Sequence, residues 1–214
     1  MINIKCFQCN PLQENCYVVS TPEGEAAIID CGAFFDSERK AIVRHIRENR
    51  LVLQHVLCTH AHFDHIFGLN TLYDEFGLCP RLHPADNDLY NQMDHQVALF
   101  MGNTTGYAMP ALGAPLADGE QLALGSRLIT TLHTPGHSPG SVLFYLKDEK
   151  TIFAGDTLFR MSVGRTDLEG GSWEQLMDSL HHTVSRLPSD VTVYTGHGPA
   201  TTIGDELLMN PYLK

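Results

Sequence analysis

The chain has 214 residues, of which 43% are hydrophobic and 18% are charged, a composition typical of a globular protein that buries one sizeable core. Its formal net charge is −11, with 14 Lys and Arg against 25 Asp and Glu, which disfavours a nucleic-acid or anionic-membrane partner. The sequence shows neither a signal-peptide pattern nor an apolar run long enough for a membrane span, so we expect a cytoplasmic protein with no membrane partner.

Six cysteines form an even set, but a chain of this length with a large core does not need disulfide bonds to fold. We expect free thiols that act as small buried hydrophobic side chains. One pair has the CxxC spacing of a redox or zinc site, but no second pair follows it. The cysteines are Cys6, Cys9, Cys16, Cys31, Cys58 and Cys79.

The first half of the chain is predicted to begin with three consecutive antiparallel strands separated by polar turns, after which helices and strands follow one another. Asp36 or Ser37 is expected to cap the first helix, and Gly77 to close the second. The predicted strands cover residues 2–6, 15–20, 25–32, 53–59 and 79–83, and the predicted helices cover residues 34–49, 64–77 and 86–100.

The second half repeats this order after residues 102–119, a stretch rich in Gly, Ala and Pro that we predict to be a mobile loop. Ser172 and Gln175 form a capping-box pattern at the start of a helix. Strand blocks that each end in a helix predict two sheets packed face to face with helices outside. The predicted strands cover residues 127–134, 141–146, 151–156 and 191–198, and the predicted helix covers residues 172–187.

The stretch "CTHAHFDH" places three histidines and one aspartate within six positions, directly after a predicted strand. His60 and His62 are two residues apart in extended chain, so their rings leave the strand end on the same side. Asp64 and His65 lie at the entry of the next helix and point elsewhere. The motif therefore predicts two half-sites for metal ions.

Three more candidate ligands lie downstream, each at the end of a predicted strand and beside a glycine: His137, Asp156 and His197. Glycine lets the backbone turn sharply and approach a metal or substrate closely. Five histidines and two aspartates suffice for two metal ions about 3.5–4 Å apart that share one carboxylate and one hydroxide.

The ordered motifs "THAHFDHIFG", "TPGHSPGS", "FAGDTLF", "VGRTDLEGG" and "TGHGPA" resemble the metallo-β-lactamase fold superfamily, and most closely its glyoxalase II branch. The resemblance implies an α/β fold, a four-layer αβ/βα sandwich of two mixed β-sheets with helices on the outer faces. It implies a shared ligand, Asp156, between two metal ions. It assigns His60, His62 and His137 to the first half-site, and Asp64, His65 and His197 to the second half-site.

The resemblance implies a hydrolase in which Asp64 orients a metal-bridging hydroxide that attacks a thioester such as S-lactoylglutathione. The motif loops contain no Lys, Tyr or Glu that could act as a general acid. A thiol with a pKa near 8.5 can leave as a thiolate without one, which favours a thioester over an amide or phosphodiester. Imidazole and carboxylate ligands accept zinc, iron or manganese, and we expect two zinc ions or an iron–zinc pair.

Rival functions remain open. Persulfide dioxygenases also share these motifs, including the "GRTD" stretch, and bind one iron at the positions of His60, His137 and Asp156. A lactonase is a second hydrolytic alternative. The missing export signal disfavours a β-lactamase, and the complete set of seven ligands disfavours a non-catalytic binding module.

Glyoxalase II proteins add a helical C-terminal domain that binds glutathione, whereas this chain ends 17 residues after His197. We therefore expect one metallo-β-lactamase-like domain over residues 1–214, as a monomer or homodimer. Asp167 and Pro199 stand where the family places substrate-contacting aromatics. Arg165 keeps the positive charge, so it is either the substrate's anion anchor or the partner of Asp167 in a structural ion pair.

The remaining candidates are expected to support the structure. Asp30, at the end of a strand, is expected to be structural or to contact a metal ligand, and Cys58 to lie in the core. His133 lies four residues before His137, and either a surface position or a contact with a ligand is compatible with that spacing. Two positions are open for a further set of apolar residues, the mouth of the substrate site and the core, and the core is expected by default: Phe34, Phe35, Phe67, Phe100 and Met101.

Overall fold

The computed structural model describes residues 1–102, 106–107 and 109–214. The first sheet consists of β1 (Asn3–Cys9), β2 (Glu14–Ser20), β3 (Glu25–Ile29) and β4 (Val52–Leu57), in that spatial order. The second sheet consists of β5 (Gln121–Leu124), β6 (Arg127–His133), β7 (Val142–Leu146), β8 (Thr151–Gly155), β11 (Thr192–Thr195) and β12 (Thr201–Thr202). β9 (Leu158–Phe159) and β10 (Ser162–Val163) form a separate ribbon.

The second sheet has the spatial order β12-β11-β8-β7-β6-β5. Both large sheets are mixed, because β3 pairs with β4 and β8 pairs with β11 in parallel, while their other neighbours are antiparallel. The helices are α1 (Asp36–Glu48), α2 (Phe63–Ile66), α3 (Leu69–Phe76), α4 (Asn87–Asn91), α5 (Met93–Met101), α6 (Trp173–His182) and α7 (Ile203–Met209). Short 3₁₀ helices lie at Pro84–Asp86, Lys147–Glu149, Val184–Arg186 and Pro211–Leu213.

Three apolar clusters hold these elements in four layers. Side chains alternate along β2, so that Val18 packs toward the helices α1 to α3 while Tyr17 and Val19 pack toward the second sheet. On its other face, the second sheet packs Ile152 and Val193 against α6 and α7. Every residue of β2 is buried because the strand is covered on both faces. The predicted four-layer sandwich of two mixed sheets with outer helices is confirmed.

The helix predicted at residues 64–77 is two helices, α2 and α3, and Gly77 closes the second in a left-handed conformation as predicted. The break has a tertiary cause. Gly68 donates its N–H to the Cys31 carbonyl at 2.7 Å, and a Cβ at Gly68 would lie 2.4 Å from the Cys31 Sγ. The chain therefore turns here to pack closely against the loop after β3.

Two further local predictions are wrong. Residues 79–83 form a single bridge between Leu57 and Arg81 rather than a strand, and the Pro80 ring has no N–H to extend a ladder. The cap of α1 is not Asp36 or Ser37: the Glu38 carboxylate accepts from the backbone N–H groups of Phe34 and Phe35.

Other boundaries also differ from the sequence pattern. The helical stretch at residues 86–100 divides into a 3₁₀ turn, α4 and α5. At α6, the Ser172 hydroxyl accepts from the N–H of Gln175 at 3.3 Å, as the capping pattern predicts.

The predicted loop at residues 102–119 lies partly outside the described residues, at positions 103–105 and 108. Its later part is anchored, because Gly113 and Leu116 donate to the carbonyls of Pro80 and Leu82. Among the described residues, no helix has the length and apolar character needed to cross a membrane.

Candidate metal centre

The seven predicted ligands meet at one edge of the sandwich. Each lies in the segment that follows a strand: five come after β4 or β6, and the other two follow β8 and β11. Five of the seven residues are buried, whereas Asp156 and His197 are partly exposed. The strand order thus brings together residues that are as many as 137 positions apart in the sequence.

In the first half-site, three imidazole rings point their nitrogens at one another. The Nδ1 atom of His62 lies 2.8 Å from the Nε2 atom of His137, and the Nε2 atoms of His60 and His137 are 3.3 Å apart. The ligand atoms of all three rings lie within 4.8 Å of one another. Such convergence is typical of histidines that share a metal ion.

In the second half-site, a carboxylate joins two imidazoles. The Oδ2 atom of Asp64 lies 3.1 Å from the Nε2 atom of His197 and 3.7 Å from that of His65. The two ring nitrogens are 3.3 Å apart. This trio also meets the 4.8 Å spacing.

Asp156 lies between the two half-sites. Its Oδ2 atom is 3.5 Å from His137 Nε2, and its Oδ1 atom is 3.4 Å from His65 Nε2. A Cβ at Gly196 would lie 2.2 Å from the Asp156 Oδ1 atom and 2.8 Å from the His65 ring. The glycine before His197 therefore allows the loop after β11 to approach the Asp156 carboxylate closely.

Hydrogen bonds on the outer ring nitrogens fix the direction of three rings. The Nδ1 atom of His65 meets the Asp30 carboxylate at 3.0 Å, that of His137 meets the Arg165 carbonyl at 2.7 Å, and that of His197 meets the Leu12 carbonyl at 3.0 Å. With Nδ1 donating outward, each Nε2 lone pair points into the centre. Outer contacts of this kind orient metal-binding histidines.

Burial and nearby carboxylates shift the pKa values of the histidines in opposite directions. Burial, reinforced by the neighbouring imidazoles, lowers the pKa of His60 well below its usual range and that of His62 to about 3. Burial also opposes the charging of His65, but Asp156, Asp64 and Asp30 outweigh it and raise its pKa well above the usual range. The pKa of His197 is raised against burial by the Asp64 carboxylate.

The carboxyl groups remain ionised. Burial alone would raise the pKa of Asp156 and of Asp64, but the attraction of His65 and His197 reverses the sign and lowers both. The Oδ1 atom of Asp156 is buried and accepts no hydrogen bond from the described residues. A buried carboxylate oxygen without a partner is costly, and a cation would supply that partner, so the donor set fits metal ions.

Asp30 supports the second half-site from behind. Its carboxylate accepts from the N–H and the hydroxyl of Thr59, each at 2.7 Å, as well as from His65. Its backbone adopts a left-handed conformation, with φ of 54°, which Asp tolerates better than most residues. The geometry agrees with the predicted structural role.

Asn15 is a supporting residue that the sequence did not reveal. Its side-chain amide donates to the carbonyls of Thr195 and Gly198, and its backbone N–H donates to Gly196. It thus fixes the backbone on both sides of His197. The available signal was an amide side chain at the start of the apolar run "NCYVVS".

Several secondary expectations can now be compared with the structure. His133 bonds the Pro139 carbonyl at 2.9 Å and stacks on His83, with ring centroids 3.9 Å apart. Cys58 is buried in the core as predicted, whereas Cys6 is exposed. Phe67 is buried and Phe34 packs against the core, but the core prediction is wrong for Phe35, Phe100 and Met101, which are exposed.

Arg165 lies outside the cluster but next to it, because its carbonyl holds His137. Its guanidinium forms two hydrogen bonds to the Asp167 carboxylate, both at 2.7 Å. Both side chains are more than half exposed. The predicted ion pair is therefore present, and the role of Arg165 as an anion anchor stays a prediction.

Comparison with known proteins agrees with this geometry. The family model for the metallo-beta-lactamase superfamily matches residues 9–197. The chain is 33% identical to the hydroxyacylglutathione hydrolase GloC of Haemophilus influenzae over 220 residues, which cover 100% of this chain and 99% of GloC.

Two solved structures have the same fold over their whole length. The B3 metallo-beta-lactamase BLEG-1 is 35% identical, with a TM-score of 0.87 over 99% of this chain and 100% of its own. A di-iron form of TTHA1623 is 39% identical, with a TM-score of 0.86 over 98% and 100%. The chain therefore belongs to the metallo-beta-lactamase superfamily of metal-dependent hydrolases.

Proposed function

We propose that this protein is a binuclear metal-dependent hydrolase of small thioesters, similar to glyoxalase II, with S-lactoylglutathione as the first substrate to test. The observation that carries the proposal is the position of Asp156, whose two oxygens face one imidazole of each half-site at 3.4–3.5 Å. A single carboxylate placed in this way suits two cations that share a ligand. Similarity to GloC over the full length supports the thioester.

His60, His62 and His137 would hold the first cation, Asp64, His65 and His197 the second, and Asp156 would join both. Two cations bound there would supply a hydroxide at neutral pH and positive charge for the developing oxyanion. The donors are all imidazole and carboxylate, which suit zinc and iron. The di-iron form of TTHA1623 supports iron as one of the metals, and we propose zinc or an iron–zinc pair.

Asp64 is the residue that we propose to orient the attacking water. Its carboxylate is buried and ionised, with one oxygen directed at His197. An ionised carboxylate can only accept hydrogen bonds. It can therefore accept a hydrogen bond from the attacking water and so direct a lone pair of the water oxygen toward the substrate carbonyl. The ligand loops contain no Lys, Tyr or Glu as proton donor, and a thiolate leaves without one.

Arg165 is proposed as the anchor for an anionic group of the substrate. Its backbone lies against His137, so its side chain leaves the chain beside the first half-site. The guanidinium is exposed and already paired with Asp167. An incoming carboxylate would have to replace or share this partner, which limits the contribution of Arg165 to affinity.

The test is hydrolysis by the zinc- or iron-reconstituted protein, with a thioester, a lactone, a β-lactam and glutathione persulfide compared side by side. We expect the thioester to be cleaved fastest and two metal ions to be bound per chain. A persulfide dioxygenase is the second candidate, because His60, His137 and Asp156 also converge. One iron per chain with oxygen uptake on the persulfide would replace the hydrolase proposal.

A further inference from the structure

Asp86 is a buried carboxylate outside the ligand motifs. It ends the 3₁₀ helix Pro84–Asp86 and is completely shielded from solvent. Its Oδ2 atom accepts from the Ala61 N–H at 3.0 Å and from the Ser138 hydroxyl at 2.8 Å, and its Oδ1 atom accepts from the Gly140 N–H. Three donors therefore converge on one side chain.

These donors belong to the two loops that carry His60, His62 and His137. Ala61 lies between His60 and His62, and Ser138 directly follows His137. One carboxylate thus connects the loop after β4 to the loop after β6. The His62 ring on the first loop and the His137 ring on the second approach each other, with Nδ1 of His62 and Nε2 of His137 2.8 Å apart.

The approach is close enough to require glycine at position 140. A Cβ there would lie 2.6 Å from the Asp86 Cγ atom, which is closer than packed atoms allow. The second glycine of "PGHSPG" lies in a turn, but the contact with Asp86, not a left-handed backbone, is what requires glycine there. Gly140 is absent from the glycines with positive φ among the described residues.

Gln96, on α5, completes the hold on His62. Its side-chain oxygen accepts from the Phe63 N–H at 3.0 Å, and its amide donates to the Ala61 carbonyl at 3.0 Å. The residues on both sides of His62 are therefore fixed by side chains from the segment 84–101. In the second half-site, Asp30 contacts His65 and Asn15 holds the loop of His197, and Asp30 also accepts from Thr59 beside His60.

We propose that Asp86, assisted by Gln96, is the positioning residue for the first half-site, setting its affinity for a metal ion without touching that ion. The proposal rests on the proposed metal function. Supporting contacts of this kind change metal affinity by about 10–100-fold. Asp86→Asn keeps the shape but replaces one acceptor oxygen with an NH₂ group that faces a donor. The two loops should then separate, and the ligand nitrogens of the three rings should no longer converge on one metal position.

The experiment measures Zn²⁺ affinity by competition with a chromophoric chelator, so no activity is needed. We expect Asp86→Asn to bind one of two zinc ions about 10–100-fold more weakly and the other within twofold. Ser138→Ala, which removes one of the three donors, should weaken the same zinc ion by a smaller factor. It also tests the proposal should Asp86→Asn fail to fold.

Glu206→Gln is the matched control. Glu206 is equally buried and also accepts three hydrogen bonds, from Met161, Thr201 and Asn210, but none of these is a ligand-loop residue. Its replacement should lower the thermal stability of the metal-free protein as Asp86→Asn does, and leave both zinc affinities unchanged. A zinc loss in Asp86→Asn no larger than in Glu206→Gln would overturn the proposal.

Two further backgrounds assign the effect to a half-site. In His197→Ala, Asp86→Asn should still weaken zinc binding, whereas in His62→Ala it should have no effect. Equal weakening in both backgrounds would reduce Asp86 to a general fold residue and overturn the proposal. A wild-type protein that binds one zinc ion would contradict the binuclear site. The ratio of zinc affinities with and without Asp86 would still show whether Asp86 sets the affinity of the first half-site.

Discussion

The two half-sites lie side by side, yet they differ in the charge that surrounds their histidines. In the first, burial and the neighbouring imidazoles lower the pKa values of His60 and His62. The second contains the ionised Asp64 and raises the pKa of both its histidines. Since a metal ion competes with protons for each imidazole, neighbouring sites on one scaffold should differ in their response to pH.

Their supporting contacts differ in the same way. The rings of the second half-site are oriented directly, by Asp30 on His65 and by a main-chain carbonyl on His197. In the first half-site, main-chain and hydroxyl oxygens contact the rings of His137 and His60, and Asp86 and Gln96 hold the backbone around His62. The Asp30 carboxylate favours a charged His65 ring, whereas contacts to the backbone around His62 affect only the position of that ring.

The largest effect is expected where the two half-sites share a ligand. Asp156→Ala should remove most bound metal and lower thioester hydrolysis by orders of magnitude, because both cations lose a ligand at once. Elemental analysis and steady-state kinetics measure the two losses. Asp205→Ala, at an exposed aspartate, is the control, and an Asp156→Ala protein with two metals and full activity would refute the assignment.

Asp30→Asn should affect mainly the second half-site. Asn also tolerates the left-handed backbone at this position, so the change tests the bond to His65 rather than the fold. We expect zinc binding at the second half-site to weaken about 10–100-fold, with the first site within a fewfold. Chelator competition in the His62→Ala and His197→Ala backgrounds separates the two sites, and a loss confined to the first would contradict the comparison.

Acidification should empty the second half-site first. The raised pKa of His65 and His197 means that protons occupy these rings already at mildly acid pH, so metal affinity there falls as the pH is lowered. The depressed pKa of His60 and His62 keeps those rings neutral to much lower pH. Activity should therefore fall below about pH 6.

Equilibrium dialysis from pH 8 to pH 5 measures the order of loss. The account predicts a plateau at one metal ion per chain, and the remaining ion should disappear in His62→Ala. Simultaneous loss of both ions, or activity unchanged at pH 5, would count against the difference in protonation between the half-sites.

The smallest effect is expected at Arg165. Arg165→Ala should raise KM for an anionic thioester by about two- to fivefold and leave a neutral thioester of equal reactivity unchanged, because an exposed ion pair contributes little. Asp167→Ala frees the guanidinium and should lower KM for the anionic substrate. Equal loss on both substrates, or on neither, would reject the anchor role.

The sequence predicted the parts of this site that have a local pattern. His60, His62, Asp64 and His65 stand in one motif, and glycines beside strand ends marked the rest. Asp86 could not be found in this way, because its three donors lie 25 to 54 residues away and two of them are backbone groups that any residue carries.

The same limit explains the errors in the fold. The break between α2 and α3 follows from the contact of Gly68 with Cys31, which periodicity does not record. Phe35 and Phe100 read as core residues from their hydrophobicity, although both are exposed. The hydrophobic pattern predicts the layers of the fold. Tertiary contacts determine where a helix breaks and whether an individual side chain is buried.

The most direct test of two linked metal sites is a crystal structure of the zinc-loaded protein, with anomalous scattering measured on both sides of the zinc edge. The account predicts two zinc ions about 3.5–4 Å apart, one among His60, His62 and His137, the other among Asp64, His65 and His197, with Asp156 between them. A single ion at full zinc saturation, or two ions that do not share Asp156, would contradict it.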